Sequence, residues 1–370
     1  MILGVSAEQE ELRASVRRFL ADRAPMSRVR ELMDGGETDW AVWEQAGTQL
    51  GLQGLAIPEG YGGAGFSFAE QAVVLEEFGA ALYGGPYLAS AVLAATALLA
   101  SPDEGARRGL LPDIASGQTV ATLAFAEDGG SWDPAAIRLS AVKDGAAWRL
   151  DGHKSFVLDG ATAGLILVVG TTDAGLSLFA VEGDADGLSR AALPALDQTR
   201  QLARLEFAGV TGRLVGSPGD GAAALDRALD VTAVALAAEQ LGGAQRALDM
   251  AVEYAKVRRQ FDRPIGSFQA IKHRCADLLL EVESLRSAVG YAAAAVAEDS
   301  AEIPVLASLV KAYASDTYFH VAAENIQIHG GIGFTWEHDA HLYFKRAKAS
   351  ELFLGDGAYH RERLADRIGL

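Results

Sequence analysis

From Gly219 to the end of the chain, apolar positions recur with a helical period. The pattern predicts helices over roughly Gly221–Val257, Phe268–Ala297, Ile303–His329, Trp336–Ala347 and Gly357–Ile368. Pro264 and Gly266 break the run, and Ser267 reads as the N-cap of the next helix. Phe268, Ile271, Cys275, Leu278, Leu279 and Val282 form that helix's apolar stripe. The segment up to Gly117 is also helical in pattern. Its first helix spans about Ser6–Asp22, with Ser6 and Gln9 in capping-box spacing. Others surround Trp40 and Trp43 and cover Phe68–Leu82, Tyr87–Ala100 and Asp103–Ala115, with a glycine-rich turn at Pro58–Gly65. Near Thr119 the period drops to two. Short strands are predicted at Val120–Phe125, Ile137–Val142, Trp148–Leu150, His153–Leu158, Leu165–Val169, Leu176–Val181 and Ala203–Phe207, forming a small antiparallel β domain that ends near Gly216. The expected fold is therefore mainly α with a small β domain. Its expected parts are an N-terminal helical domain (1–118), a middle β domain (119–218) and a C-terminal helical domain (219–370).

Composition narrows the function classes. Of 370 residues, half are hydrophobic and 22% charged, ordinary for a globular chain. The formal net charge of -17 argues against nucleic acid or anionic membrane as a general partner. An anionic ligand would therefore need a local cluster of cations. The single cysteine, Cys275, has no internal partner and lies on an apolar stripe, which fits a core residue in a reducing cytoplasm. No signal peptide is visible, and the most apolar run, Leu88–Ala100, is too short to span a bilayer.

A cation cluster does occur where the long helix ends. Lys256, Arg258 and Arg259 abut a sharp turn and a new helix start, with Gln260 and Gln269 nearby. Arginine forms bidentate bonds to phosphate oxygens, so the corner suits a pyrophosphate; a solvated basic helix end would look the same. No glycine-rich strand-to-helix turn, P-loop or G-x-S-x-G is present, so a Rossmann nicotinamide site and a serine hydrolase are not expected. His338 and His341 flank Asp339, but no third ligand stands at metal spacing, and no metal site is expected.

The string YAKVRRQF, followed by IGSFQAIKH and then AD, resembles the C-terminal signature of the acyl-CoA dehydrogenase family. QIHGGIGF at Gln327–Phe334 is similar to that family's Q-x-x-G-G-x-G-F. Two stretches of the β region resemble it more loosely. LAFAEDGGSW at Leu123–Trp132 is similar to the T-E-P-x-A-G-S-D turn, with Glu127, Gly129 and Ser131 fitting and Ala126 and Asp128 replacing Thr and Pro. KSFVLDG at Lys154–Gly160 is similar to K-x-W-I-T-N-G, with Leu158 in the Thr place; by itself it would be a plain half-buried strand. The resemblance implies the three-domain fold of that family, with a C-terminal four-helix bundle, and a bound FAD. It implies FAD contacts from Arg258, Gln260, Phe261, Gln269, Gln327, Gly331, Phe156, Leu158, Ser131 and Asp356. Arg258 and Gln260 would reach the pyrophosphate of a neighbouring subunit. It further implies an acyl-CoA substrate, an oligomer and an electron-transfer flavoprotein as acceptor.

One departure matters most. The family's base is a glutamate in I-Y-E-G-T; here the stretch is LFLGD, with Leu354 in the glutamate's place. A minority of relatives place the base in an E-R pair on the long helix, where Thr232 and Ala233 stand. Glu239, two turns along from Thr232, and Asp356 are the remaining acids; Glu239 is the candidate base, with a purely structural paired carboxylate as the alternative. The backbone N–H of residue 354, which in the family polarises the thioester carbonyl, survives any side chain. Such losses resemble the paired actinobacterial enzymes that form α2β2 tetramers on bulky steroid side-chain CoA esters. Three functions follow: an α,β-dehydrogenase of acyl-CoA esters, a non-catalytic subunit completing a partner's FAD site, or a flavin oxidase of nitroalkane-oxidase type.

Overall fold

A computed structural model describes residues 6–35 and 38–370. Helix accounts for 58% and strand for 17%, with helices before and after a central β region. The packing forms two compact units. One takes in the chain up to Met33, Phe68–Tyr83 and Ala233–Leu370; the other takes in Asp34–Ser67 and Gly84–Thr232.

The helical unit contains α1 (Ala7–Arg23), most of α2 (Met26–Gly35) and α4 (Phe68–Ala80), whereas α3 (Trp40–Leu50), α5 (Ala95–Ala100) and α6 (Glu104–Ala115) belong to the other. The helical unit also holds most of α7 (Gly221–Val257), then α8 (Gln269–Ala297), α9 (Ile303–His329), α10 (Ala340–Leu352) and α11 (Gly357–Ile368). The α1 capping box forms as expected, Ser6 and Gln9 each bonding the other's backbone. Glu77 of α4 is buried and takes Arg17 at 2.8 Å and Arg13 at 3.1 Å, tying α1 to α4. α4 crosses α7 at two glycines. A Cβ on Gly79 would stand 1.8 Å from the Glu239 carbonyl oxygen, and one on Gly242 would stand 1.7 Å from that of Glu76. Only glycine lets the two backbones approach that closely.

The other unit centres on a seven-stranded sheet. Its strands are β1 (Ala121–Ala124), β2 (Ser140–Asp144), β3 (Ala147–Leu158), β4 (Leu165–Thr172), β5 (Gly175–Glu182), β6 (Leu188–Leu193) and β7 (Leu202–Val215). The pairings β4–β2–β3–β7–β5–β4 close on themselves, with β1 beside β4 and β6 beside β7. The β domain is mainly antiparallel, as expected, but β1 pairs β4 in parallel, Ala121 opposite Leu165, and β2 meets β4 in parallel at Ser140 and Thr171; β2 and β3 intervene in the chain and return it to the end of the sheet at which β1 began. The predicted strands Trp148–Leu150 and His153–Leu158 are one strand, β3, with bulges at Leu150/Asp151 and Lys154/Val157.

Other local expectations are also revised. Residues 88–94 are π-helical and wholly buried, so the predicted helix Tyr87–Ala100 is α-helical only from Ala95. Ser267 is not the N-cap of α8. Residues Ile265–Ser267 form a 3-10 turn, Phe268 takes the cap position without a side-chain bond, and the Ser267 hydroxyl is buried with no partner among the described residues. Leu278, Val282, Leu285 and Val289 are the buried stripe of α8, which rotates Leu279 outward to 48% exposure. Cys275 is half-buried, packed with Tyr254, Ile265 and Ile271 against Ala251, Ala255 and Ile328 rather than enclosed in the core. The helix expected from Trp336 starts at Ala340, after a 3-10 turn at Gly330–Phe334 that leaves Trp336 exposed.

Candidate functional site

The end of α7 carries the basic corner. After Val257 the chain makes a small hairpin, β8 (Arg259–Gln260) against β9 (Arg263–Pro264), with Phe261 and Asp262 at its tip. Both tip residues have positive φ, 51° and 62°, conformations strained for non-glycine residues. Arg263 stacks on Phe268 at 3.9 Å, and Phe268 meets Phe261 edge-on at 6.1 Å. Phe261 is nonetheless 86% exposed. The guanidinium of Arg258 and the amides of Gln260 and Gln269 have no hydrogen-bond or ion-pair partner among the described residues. The end of α9 lies against the same end of α7, through a Tyr254–His329 stack at 4.3 Å and the Ala251, Ala255 and Ile328 cluster. There Gln327 is exposed, and a Cβ on Gly330 or Gly331 would meet nothing within 4 Å. Open space around the glycines, an uncompensated arginine and free amides fit the pyrophosphate and adenosine parts of a dinucleotide approaching from outside the chain.

In the β unit, the Phe125–Asp133 loop is fastened from below. Glu127 accepts the N–H groups of Arg138 (2.9 Å) and Leu139 (2.8 Å) and the Lys154 ammonium (2.9 Å). Lys154 is fully buried and also donates to the Phe125 carbonyl at 2.9 Å; burial pulls its pKa down to about 8. Asp128 is gripped by Arg204 at 3.0 Å, with Ser155 and His153 beside it, and the Arg204 bonds hold its carboxyl down at about 2. Arg204 did not stand out in the sequence, and Lys154 did so only as the first residue of the KSFVLDG match, with no role attached. A cavity of about 390 Å³ opens on this loop, lined by Phe125, Glu127, Asp128, Ser131, Arg138 and His153. The Ser131 hydroxyl accepts the Asp133 N–H at 3.2 Å. Phe156 sits at the β3 bulge with φ 58°, half-exposed, 6.2 Å from the Trp132 ring. Leu158 is buried, at 2% exposure, and its carbonyl takes the Thr122 hydroxyl at 2.6 Å.

The LFLGD turn follows α10. Leu354 is 4% exposed and has φ 62°, a left-handed conformation that costs on the order of 1–3 kcal/mol for a non-glycine residue. Gly355 follows at φ 102°, where a Cβ would stand 2.1 Å from the Tyr359 ring. The Leu354 N–H has no acceptor among the described residues. Asp356 caps α11, accepting the Tyr359 N–H at 2.9 Å. Glu239 is buried and paired with the buried Arg346 at 2.8 Å. Thr232 is buried with no partner for its hydroxyl among the described residues.

Residues 219–369 match the family model "Acyl-CoA dehydrogenase, C-terminal domain", and residues 6–118 match "Acyl-CoA dehydrogenase, N-terminal domain". The chain belongs to the acyl-CoA dehydrogenase family. It is 36% identical to acyl-CoA dehydrogenase IpdE2 of Mycobacterium tuberculosis over 94% of this chain and 93% of that protein. Among solved structures it is similar to a variant of the Tcur3481-Tcur3483 steroid ACAD, with 34% identity, TM-score 0.90 and 99% coverage of both chains. It is also similar to the ChsE4-ChsE5 complex of Mycobacterium tuberculosis, with 30% identity and TM-score 0.91, covering 100% of this chain and 99% of that one. Members of this acyl-CoA dehydrogenase family are flavoproteins, and the unpaired donors around Arg258 suit such a cofactor. Among the described residues, no helix is long and apolar enough to cross a membrane, and no group of three His, Cys, Asp or Glu is placed to hold a metal.

Proposed function

We propose that this chain is a subunit of an FAD-dependent acyl-CoA dehydrogenase that binds the thioester but does not itself supply the base at the usual position. The observation that carries this is Leu354, buried and without a titratable group, beside a backbone N–H that has no partner within the described chain. The N–H would take the thioester carbonyl and acidify the α-carbon. Bound FAD would supply the acceptor for the hydride that leaves the β-carbon. Arg258, Gln260, Phe261, Gln269, Gln327 and Gly331 would hold its pyrophosphate and adenosine parts, in part across a subunit boundary. Phe156, Leu158, Ser131 and Asp356 are the proposed contacts nearer the ring. We retain 1–118, 119–218 and 219–370 as the domain partition, an electron-transfer flavoprotein as the acceptor, and the cytoplasm as the site of action.

The Glu239–Arg346 pair weighs against Glu239 as the base. Moving that carboxylate to a substrate would break a buried ion pair, at a cost of about 3–5 kcal/mol. Glu239 also lies about 10 Å along α7 from Thr232, two helical turns away. A base from a homologous partner in an α2β2 assembly is therefore the better reading. The names of the Tcur3481-Tcur3483 and ChsE4-ChsE5 structures, each a pair of chains, support it. So does the steroid description of the first, which points to a bulky acyl group. With no acid at position 354, a nitroalkane-oxidase chemistry has no base there. The test is steady-state turnover of the isolated chain on a panel of acyl-CoA esters with an artificial acceptor. Turnover that Glu239→Gln abolishes while FAD stays bound would make Glu239 the base and defeat the partner reading. An inert chain activated by a co-expressed homologue supports it.

A further inference from the structure

The Leu354 turn is held by two buried side chains on other helices. His360 of α11 is 4% exposed and stands 3.0 Å, through Nε2, from the Leu354 carbonyl oxygen. A carbonyl only accepts, so the ring hydrogen is on Nε2, and Nδ1 is left as a buried acceptor without a partner among the described residues. Burial pulls the His360 pKa down to about 3, consistent with a neutral ring. Lys311 of α9 is 0% exposed, and its ammonium reaches the Gly355 carbonyl (2.9 Å), the Glu351 carbonyl (3.1 Å) and the Ser315 hydroxyl (2.9 Å). The peptide unit before Phe353 is fixed from the helix side, since the Phe353 N–H donates to Ala349 at 3.0 Å; the Leu354 N–H belongs to the next unit. The two carbonyls that follow it are the ones His360 and Lys311 grip. Leu354 is thus flanked by held peptide units in a conformation leucine resists, and its own N–H has no acceptor among the described residues.

We propose that His360 and Lys311 are positioning residues that hold the residue-354 turn so that its unpaired backbone N–H presents to a thioester carbonyl. This rests on the acyl-CoA reading above. Neither side chain touches the substrate; they act through the Leu354 and Gly355 carbonyls. A burial-only role would require merely a side chain of the right volume, whereas this one requires a donor at each carbonyl.

The test compares the affinities of the purified FAD-loaded protein, in whatever assembly it forms, for hexanoyl-CoA and its thioether hexyl-CoA, which lacks the carbonyl. The wild type should favour the thioester by roughly five- to tenfold, the weight of one hydrogen bond. His360→Leu should bring the ratio close to one while thioether affinity holds, and His360→Gln, which keeps an N–H donor, should recover most of it. Lys311→Met, which removes a buried cation at similar length, is the second variant and should also lower the ratio. Retained thioether binding certifies that each variant folds. A wild-type ratio near one overturns the carbonyl contact itself, and with it the acyl-CoA reading. A wild-type preference that His360→Leu and Lys311→Met both leave intact overturns the positioning roles alone.

Discussion

His360 makes acid stability a residue-scale property. In the unfolded chain its imidazole titrates near 6.5, whereas in the fold burial lowers its pKa to about 3. Between those values the unfolded chain binds a proton that the folded chain refuses, so stability falls as pH drops below 6.5 and the loss is complete near 3. At pH 5 the loss should reach about 2 kcal/mol. Urea unfolding at pH 7 and pH 5 should therefore show a steeper decline for wild type than for His360→Gln; parallel declines would show that His360 already takes its proton in the folded state. The Arg258 guanidinium, with no partner among the described residues, makes a second expectation at this scale. Losing a charged hydrogen bond worth about 1.5–3 kcal/mol, Arg258→Ala should weaken FAD binding roughly ten- to a hundredfold by flavin fluorescence titration. Unchanged affinity would move the pyrophosphate elsewhere.

At the scale of elements, the α4–α7 crossing is the most sensitive contact. Gly242→Ala puts a methyl 1.7 Å from the Glu76 carbonyl oxygen, and overpacking of this kind costs about 1–3 kcal/mol. Gly290→Ala on α8, where a Cβ meets nothing within 4 Å, should instead stabilise by about 0.5–1 kcal/mol. Denaturant midpoints of the two variants should move in opposite directions; equal shifts would contradict the close crossing. The helices were legible where periodicity and caps agree: the predicted spans of α7, α9 and α11 are those observed. What escaped had a physical reason. β6 is an edge strand with almost no buried face, so it shows no alternation. Residues 88–94 are buried on every side, so no periodicity distinguishes a π-helix from an α-helix there. The β8–β9 hairpin turns on Phe261 and Asp262 at positive φ, not on the Asn-Gly or Asp-Gly pair that announces such a turn. α2 was legible and passed over: Met26, Val29, Leu32 and Met33 stand at helical spacing, and Val29 and Met33 are buried.

For the whole molecule, the family and its order of domains were legible because the signatures at Tyr254–Phe261 and Gln327–Phe334 are irregular strings fixed by local backbone needs. The hold on the Leu354 turn was not, because Lys311 and His360 meet it from α9 and α11, across separations no local pattern encodes. A chain of net charge -17 that leaves Arg258 without a partner among the described residues, and Phe261 and Phe334 at 86% and 77% exposure, fits the proposal that a second subunit covers this end of the helical unit. We expect at least a dimer by sedimentation; a monomer holding stoichiometric FAD would contradict a site shared across subunits. The most direct measurement of the central claim is anaerobic bleaching of the flavin absorbance by acyl-CoA, for the isolated wild type and for Leu354→Glu. Wild type should bind acyl-CoA without bleaching, and Leu354→Glu should bleach, because a carboxylate then stands where the family keeps its base. Rapid bleaching by the isolated wild type, or a Leu354→Glu variant that binds both ligands and stays yellow, would contradict it.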